Sequence, residues 1–185
     1  MRLGQLLALV FTIAWVPLFF IRAEKLGDAF PFYSRAERRA AICAPTILTI
    51  HMALACFLMS LMPSVSTLRA VLGASIVACG IGFWVWARSA IGPLRVRRLP
   101  TEPPLRFRRD GPFAIVRNPL YFGMLVALTG PVVIAGRAVL IVTLGLCVIA
   151  LAIRAKQEER WLHGHLGAEY GTYCREVKRL IPFVW

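Results

Sequence analysis

Charged side chains are scarce in this sequence: they make up 17% of its 185 residues, where an ordinary globular domain carries about a quarter. With 58% of the residues hydrophobic, an ordinary soluble domain is excluded and a membrane protein is expected. Acidic residues are scarcer still, nine against 22 Lys and Arg. No two of the five cysteines stand at a spacing that suggests a metal site or a redox pair, so no metal is expected. Cys43, Cys56, Cys79 and Cys147 lie in apolar stretches and read as small fillers. Internal repeats and low-complexity tracts are absent. The fragment Gly80-Ile81-Gly82 sits inside an apolar run with no strand before it, which excludes a dinucleotide-binding loop.

What is present is a succession of apolar runs: Leu3–Ile21, Ala40–Met62, Leu68–Ile91, Leu120–Gly136 and Ala138–Ile153. Their lengths approach the roughly 20 residues that cross the hydrocarbon as a helix, so about five transmembrane helices are expected in an all-α polytopic protein. The first run continues into further spans and lacks a clear small-residue cleavage site, which favours an anchor over a cleaved leader. The last two runs meet at Gly136 and Arg137 and should form a tight antiparallel hairpin, kinked at Pro131 because proline removes a helix hydrogen bond. One domain is expected over 1–185, with a three-span part at 1–91 and a loop, hairpin and tail at 92–185. Gly73 to Gly80, with Ala74, Ala78 and Gly82, reads as a small-residue face for helix packing.

A net charge of +13 would suggest nucleic acid in a soluble protein, but its distribution follows the membrane. The segments Arg22–Arg39, Arg88–Arg117 and Arg154–Arg179 hold 5, 8 and 6 Lys/Arg, 19 of the 22. Only Arg2, Arg69 and Arg137 fall on the other side. The positive-inside rule then sets the N-terminus outside and the C-terminus in the cytoplasm, as in a bacterial inner membrane. Anionic headgroups are the expected partners of the surplus charge, and no nucleic acid is expected. All nine acidic residues share these three segments, more than anchoring requires, so the chemistry is expected there.

Two stretches on that side carry the candidates. The segment Ile91–Pro119, punctuated by five prolines from Pro93 to Pro112, should be an ordered loop rather than a helix. It delivers Arg117 and Tyr121 to the mouth of the fourth span, where the bland alternative is an interfacial anchor and a helix start. The second is Arg154-Ala155-Lys156-Gln157-Glu158-Glu159-Arg160, beyond the fifth span. Arg154 and Glu158 share a helix face, which on the bland reading is an ion pair worth a few tenths of a kcal/mol. Glu158 and Glu159 point about 100° apart, so one carboxylate can face a cleft while its neighbour holds the supporting shell. His51, in mid-span, reads first as a hydrogen-bonded packing residue. His163 and His165 point to nearly opposite faces, against shared metal ligation.

At these residues the chain resembles the isoprenylcysteine carboxyl methyltransferases and the related phospholipid N-methyltransferases. The resemblance runs from about Pro103 to Pro182 through Gly111-Pro112-Phe113, Arg117-Asn118-Pro119-Leu120-Tyr121-Phe122-Gly123, Glu158-Glu159, Gly167-Ala168-Glu169-Tyr170-Gly171-Thr172-Tyr173 and Ile181-Pro182. Phe113 stands where the family usually has tyrosine, and Asn118 where its eukaryotic members have histidine. The resemblance implies a cytoplasmic S-adenosylmethionine pocket lined by Leu105, Arg106, Phe107, Arg108, Phe113, Asn118, Pro119, Leu120, Tyr121 and Glu158 and closed by the C-terminal tail, with Arg154 facing a lipophilic acceptor. No fingerprint of the soluble Rossmann-type methyltransferases is present.

A carboxylate acceptor is already anionic and needs an arginine such as Arg154 or Arg117 to orient it. An amine acceptor is protonated and needs a base, for which Glu159 or His163 are available. The sequence supplies both sets. A nicotinamide-dependent membrane reductase and a non-enzymatic lipid-binding protein are the competing readings, and the sequence leaves the oligomeric state open.

Overall fold

In a computed structural model the described residues are 3–11, 13, 35–91 and 108–182, and among them the chain is helical with no strand. Residues 3–11 form helix. Five further helices follow: α1 (Arg35–Ser60), α2 (Thr67–Ile91), the single turn α3 (Pro112–Ile115), α4 (Pro119–Ala135) and α5 (Ala138–Glu176). Helix is what an apolar run must adopt in a bilayer, because no water is there to satisfy backbone amides and carbonyls. Cys43–Ser60, Thr67–Ala90 and Ala138–Gly164 are long and apolar enough to cross a membrane, whereas the apolar α4 is shorter, at 17 residues. Most of the second half of the first expected span lies outside the described residues, as do Pro93, Pro100, Pro103 and Pro104. The expected loop before the fourth span holds one helical turn, α3, that begins at Pro112.

Local chemistry marks the ends of α4. Pro119 stands in its first turn, where a missing N–H costs nothing. Its C-terminus closes on Gly136, in the left-handed conformation with φ 58°, whose N–H donates to the Val132 carbonyl. The helix runs on through Pro131, which is fully buried.

Glycine decides the packing of α2 on α4. A Cβ at Gly80 would lie 2.4 Å from the Ala127 nitrogen and 2.8 Å from the Gly123 carbonyl oxygen. One at Gly73 would lie 2.7 Å from the Gly130 carbonyl oxygen, and one at Gly130 would lie 2.5 Å from that of Gly73. The small-residue face expected from Gly73 to Gly80 is therefore answered by Gly123 and Gly130, seven residues apart on the other helix, and the backbones touch directly. Of α1, α3, α4 and α5, it is α4 and the short α3 that α2 meets.

The turn of the expected hairpin is tight, with α4 ending at Ala135 and α5 starting at Ala138. α4 and α5 pack on each other far less than α2 packs on α4, and α1 lies against both arms. Ala44, Leu48, Met52, Ala55 and Met59 of α1 recur every three to four residues and are buried. Between them His51, fully buried, meets Thr143 Oγ1 of α5 through Nδ1 at 2.7 Å and the Leu128 carbonyl of α4 through Nε2 at 3.3 Å. A polar side chain in hydrocarbon is stable only with such partners, and the packing role expected of His51 is the one it has. Ala8 and Phe11 of the first helix join the same core.

Candidate active site

The two arms bring distant residues to one height. Tyr121 lies 14 residues before the end of α4 and Arg154 lies 16 after the start of α5, roughly 21 and 24 Å from the turn at 1.5 Å per residue. There the Tyr121 hydroxyl donates to Glu158 Oε1 and accepts from Arg154 Nε at 3.4 Å, while Arg154 Nε also pairs with Glu158 Oε1 at 3.2 Å. Arg154 is 2% exposed and Tyr121 2%, yet the Glu158 side chain is 20% exposed. Among the described residues no donor reaches Glu158 Oε2, and Gln157 Oε1, one residue earlier, is buried with no partner. An ion pair that a solvated helix would value at tenths of a kcal/mol is here desolvated on its arginine side. Removing Glu158 takes from the buried Arg154 the carboxylate that faces it at 3.2 Å, leaving a charge in a desolvated place.

A second cluster stands beside it. Glu159 is 7% exposed and receives Arg117 Nε at 3.0 Å, Arg117 Nη2 at 3.2 Å, Asn118 Nδ2 at 3.1 Å and Arg179 Nε at 2.8 Å. The Arg117 pair is the two-pronged geometry for which guanidinium and carboxylate are matched. Arg117 Nη1 donates to the Cys174 and Val177 carbonyls, the latter at 2.9 Å. The backbone continues the contact: Arg117 N–H donates to the Lys178 carbonyl at 2.8 Å and Asn118 N–H to that of Arg179 at 3.1 Å, which makes a short parallel bridge between 116–118 and 178–179. Asn118 Nδ2 reaches the Arg179 carbonyl as well, at 3.1 Å. Asn118 precedes α4 without a side-chain cap to it, its amide being spent on the tail and Glu159.

The tail arrives through a kink at Gly167. Its φ of 58° with ψ −135° is a conformation essentially restricted to glycine, and this kink within α5 brings Tyr170 beside His163. Tyr170 and Tyr173 thereby become buried, at 3% and 2% exposure, and Tyr173 OH donates to the Phe113 carbonyl at 2.7 Å. Burial pushes both phenols above their ordinary range, Glu159 adding to the effect at Tyr170 and the Arg117 charge opposing it at both. The Cys174 thiol is raised for the same first reason. Leu180 ends the segment in the main core, fully buried.

A model of the phospholipid methyltransferase family matches residues 68–169, more than half of the 185. The chain belongs to that family. No curated protein and no solved structure matches it. As a phospholipid methyltransferase family member it is an all-α membrane protein and a methyltransferase acting on lipid-like substrates.

The residues that the resemblance singled out divide within this family member's site. Tyr121, Glu158 and Arg154 come together, and Arg117, Asn118 and Glu159 come together on the tail. Pro119 is buried and Leu120 and Phe113 are half-buried at the same end. Arg108 is exposed, pairs with Asp110 at 3.2 Å and donates to the Ala90 carbonyl at the end of α2. Leu105, Arg106 and Phe107, and the His165 side chain, lie outside the described residues. His163 is exposed and stands edge-on to Tyr170, with ring centres 6.4 Å apart. Arg179 was legible in the sequence only as one more cytoplasmic charge; its signal is the mismatch of a buried Glu159 with Arg117 alone. The backbone carbonyls of Cys174, Val177, Lys178 and Arg179 carry no residue-type signal.

Proposed function

We propose that this chain transfers a methyl group from S-adenosylmethionine to an amphiphile bearing an anionic oxygen, as in the isoprenylcysteine carboxyl methyltransferases, at the cytoplasmic membrane boundary. The observation that carries the reading is the Tyr121–Glu158–Arg154 group: a desolvated arginine, a tyrosine held by it, and a half-open carboxylate with one oxygen uncommitted among the described residues. Glu158 Oε2 and the orphaned Gln157 Oε1 are acceptors of the kind that a ligand rich in hydroxyl and ammonium donors requires, so the residues present fit the cofactor. When bound, it supplies a methyl group on a sulfonium centre. Tyr121 fixes the Glu158 rotamer by its hydrogen bond. Arg154, at the apolar edge, orients an anionic acceptor oxygen and keeps water out by its own burial. Displacement at carbon gains from such positioning and desolvation.

The state of Glu159, one of the two candidate bases with His163, supports an anionic acceptor. A protonated amine needs a general base, yet both Glu159 oxygens are already covered by donors from Arg117, Asn118 and Arg179. A phospholipid amine is the second reading, favoured by the family model's description. Height supports the placement at the boundary: Glu158 lies 20 residues above Ala138 in α5, roughly 30 Å, the thickness of the hydrocarbon. The test is calorimetric binding of S-adenosylmethionine to the protein in lipid. Saturable binding that Glu158→Gln and Tyr121→Phe each weaken by roughly tenfold, the worth of one buried charged hydrogen bond, supports the reading. No binding to a folded wild type sinks it.

A further inference from the structure

The paired glutamates are held in opposite ways. Glu158 takes its donors on one oxygen and is partly open, whereas Glu159 has four donor groups on its two oxygens, as many as a carboxylate has lone-pair sites. Three of those donors belong to the turn before α4 and the fourth, Arg179, to the segment after α5. Arg117 is likewise committed: its guanidinium spans Glu159 and the Cys174 and Val177 carbonyls, and its backbone N–H holds Lys178. The side chains of Arg117 and Glu159 are each 9% exposed and that of Arg179 23%, so these bonds are not diluted by water as surface pairs are. Two guanidinium groups converge on one carboxylate, and removal of that carboxylate leaves like charges facing each other.

We infer that Arg117, Glu159 and Arg179 are positioning residues that latch the C-terminal segment onto the turn before α4, and that neither Glu159 nor Arg117 touches the acceptor. Resting on the methyltransferase reading, this assigns the two glutamates different work: Glu158 meets the cofactor, and Glu159 sets the register between residues 116–118 and 178–179. Asn118 is the link between them. Its amide is shared between Glu159 and the Arg179 carbonyl, and its own carbonyl receives the N–H groups of Tyr121 and Phe122 at 3.1 Å. A shift of the tail is therefore passed to the residue that orients Glu158.

The 185-residue chain in phospholipid nanodiscs tests this with two readouts, trypsin cleavage after Lys178 and affinity for S-adenosylmethionine. Arg179→Ala and Glu159→Gln should both speed cleavage and weaken cofactor binding by roughly tenfold to a hundredfold, the scale expected of slight misplacement in a positioned site. Arg179→Lys should restore part of both, because it keeps the charge but not the fork. Glu158→Gln should weaken binding at the wild-type cleavage rate. The latch is overturned if Arg179→Ala leaves both readouts unchanged, or if Glu159→Gln weakens binding while the tail stays protected, which would put Glu159 on the ligand. A wild type that binds no S-adenosylmethionine overturns the cofactor reading instead, and the two failures are told apart because cleavage still reports whether the tail is held.

Discussion

At the scale of single residues, Gly167 isolates one physical effect. A Cβ there would meet nothing within 4 Å, so Gly167→Ala introduces no clash and acts through the backbone alone. Its φ of 58° with ψ −135° costs a residue with a side chain about 1–3 kcal/mol. Gly167→Ala should therefore lower the protection of amides in 168–176 against hydrogen exchange while leaving α2 and α4 as in the wild type. Protection unchanged in 168–176 would show that the kink tolerates a side chain. The sequence announced this glycine only through its place before Tyr170 and Tyr173; periodicity continues across it, and nothing in composition says that the helix kinks there. Glu159 shows the same limit. Its adjacency to Glu158 marked both, but which carboxylate is enclosed depends on Arg179 and on backbone carbonyls that any residue type supplies.

Among the elements, the α2–α4 contact was half legible. Gly73 and Gly80 stand out in an apolar run, and their partners Gly123 and Gly130 repeat the seven-residue interval, but sequence alone does not pair the two faces. The structure separates tight glycines from idle ones: a Cβ at Gly80 falls 2.4 Å from a backbone atom, while at Gly82 it meets nothing within 4 Å. Gly80→Ala must push the helices apart and should cost about 1–3 kcal/mol as overpacking, read as a lower midpoint of thermal unfolding in detergent. Gly82→Ala should be neutral. Equal effects from the two would refute the close-packed interface. The hairpin was legible as two runs meeting at Gly136 and Arg137, but the packing of α1 against both arms was not, because His51 reads the same whether it joins one helix or two.

For the molecule as a whole, membrane class followed from where the apolar runs fall. The matched family region begins at Thr67's neighbour Leu68 and ends at Glu169, and parts beyond it join the described structure: residues 3–11, through Ala8 and Phe11 in the core, α1, against both hairpin arms, and the tail that holds the turn before α4. A fragment of residues 68–169 should consequently fail to yield a monodisperse protein in detergent, and co-expression with residues 1–67 should improve its recovery without restoring the tail contacts. Independent folding of the fragment, with the same unfolding midpoint as the full chain, would contradict this.

The position of α1 also bears on the order of biosynthesis. It leaves the ribosome long before α4 and α5, so the His51 side chain enters the bilayer before either of its partners, Leu128 and Thr143, has been made. For that interval a polar ring must be sheltered by water, lipid headgroups or the insertion machinery. Arrival of the hairpin ends the interval: the helix synthesised early becomes the template on which the later pair closes, and the site at their far end is assembled last.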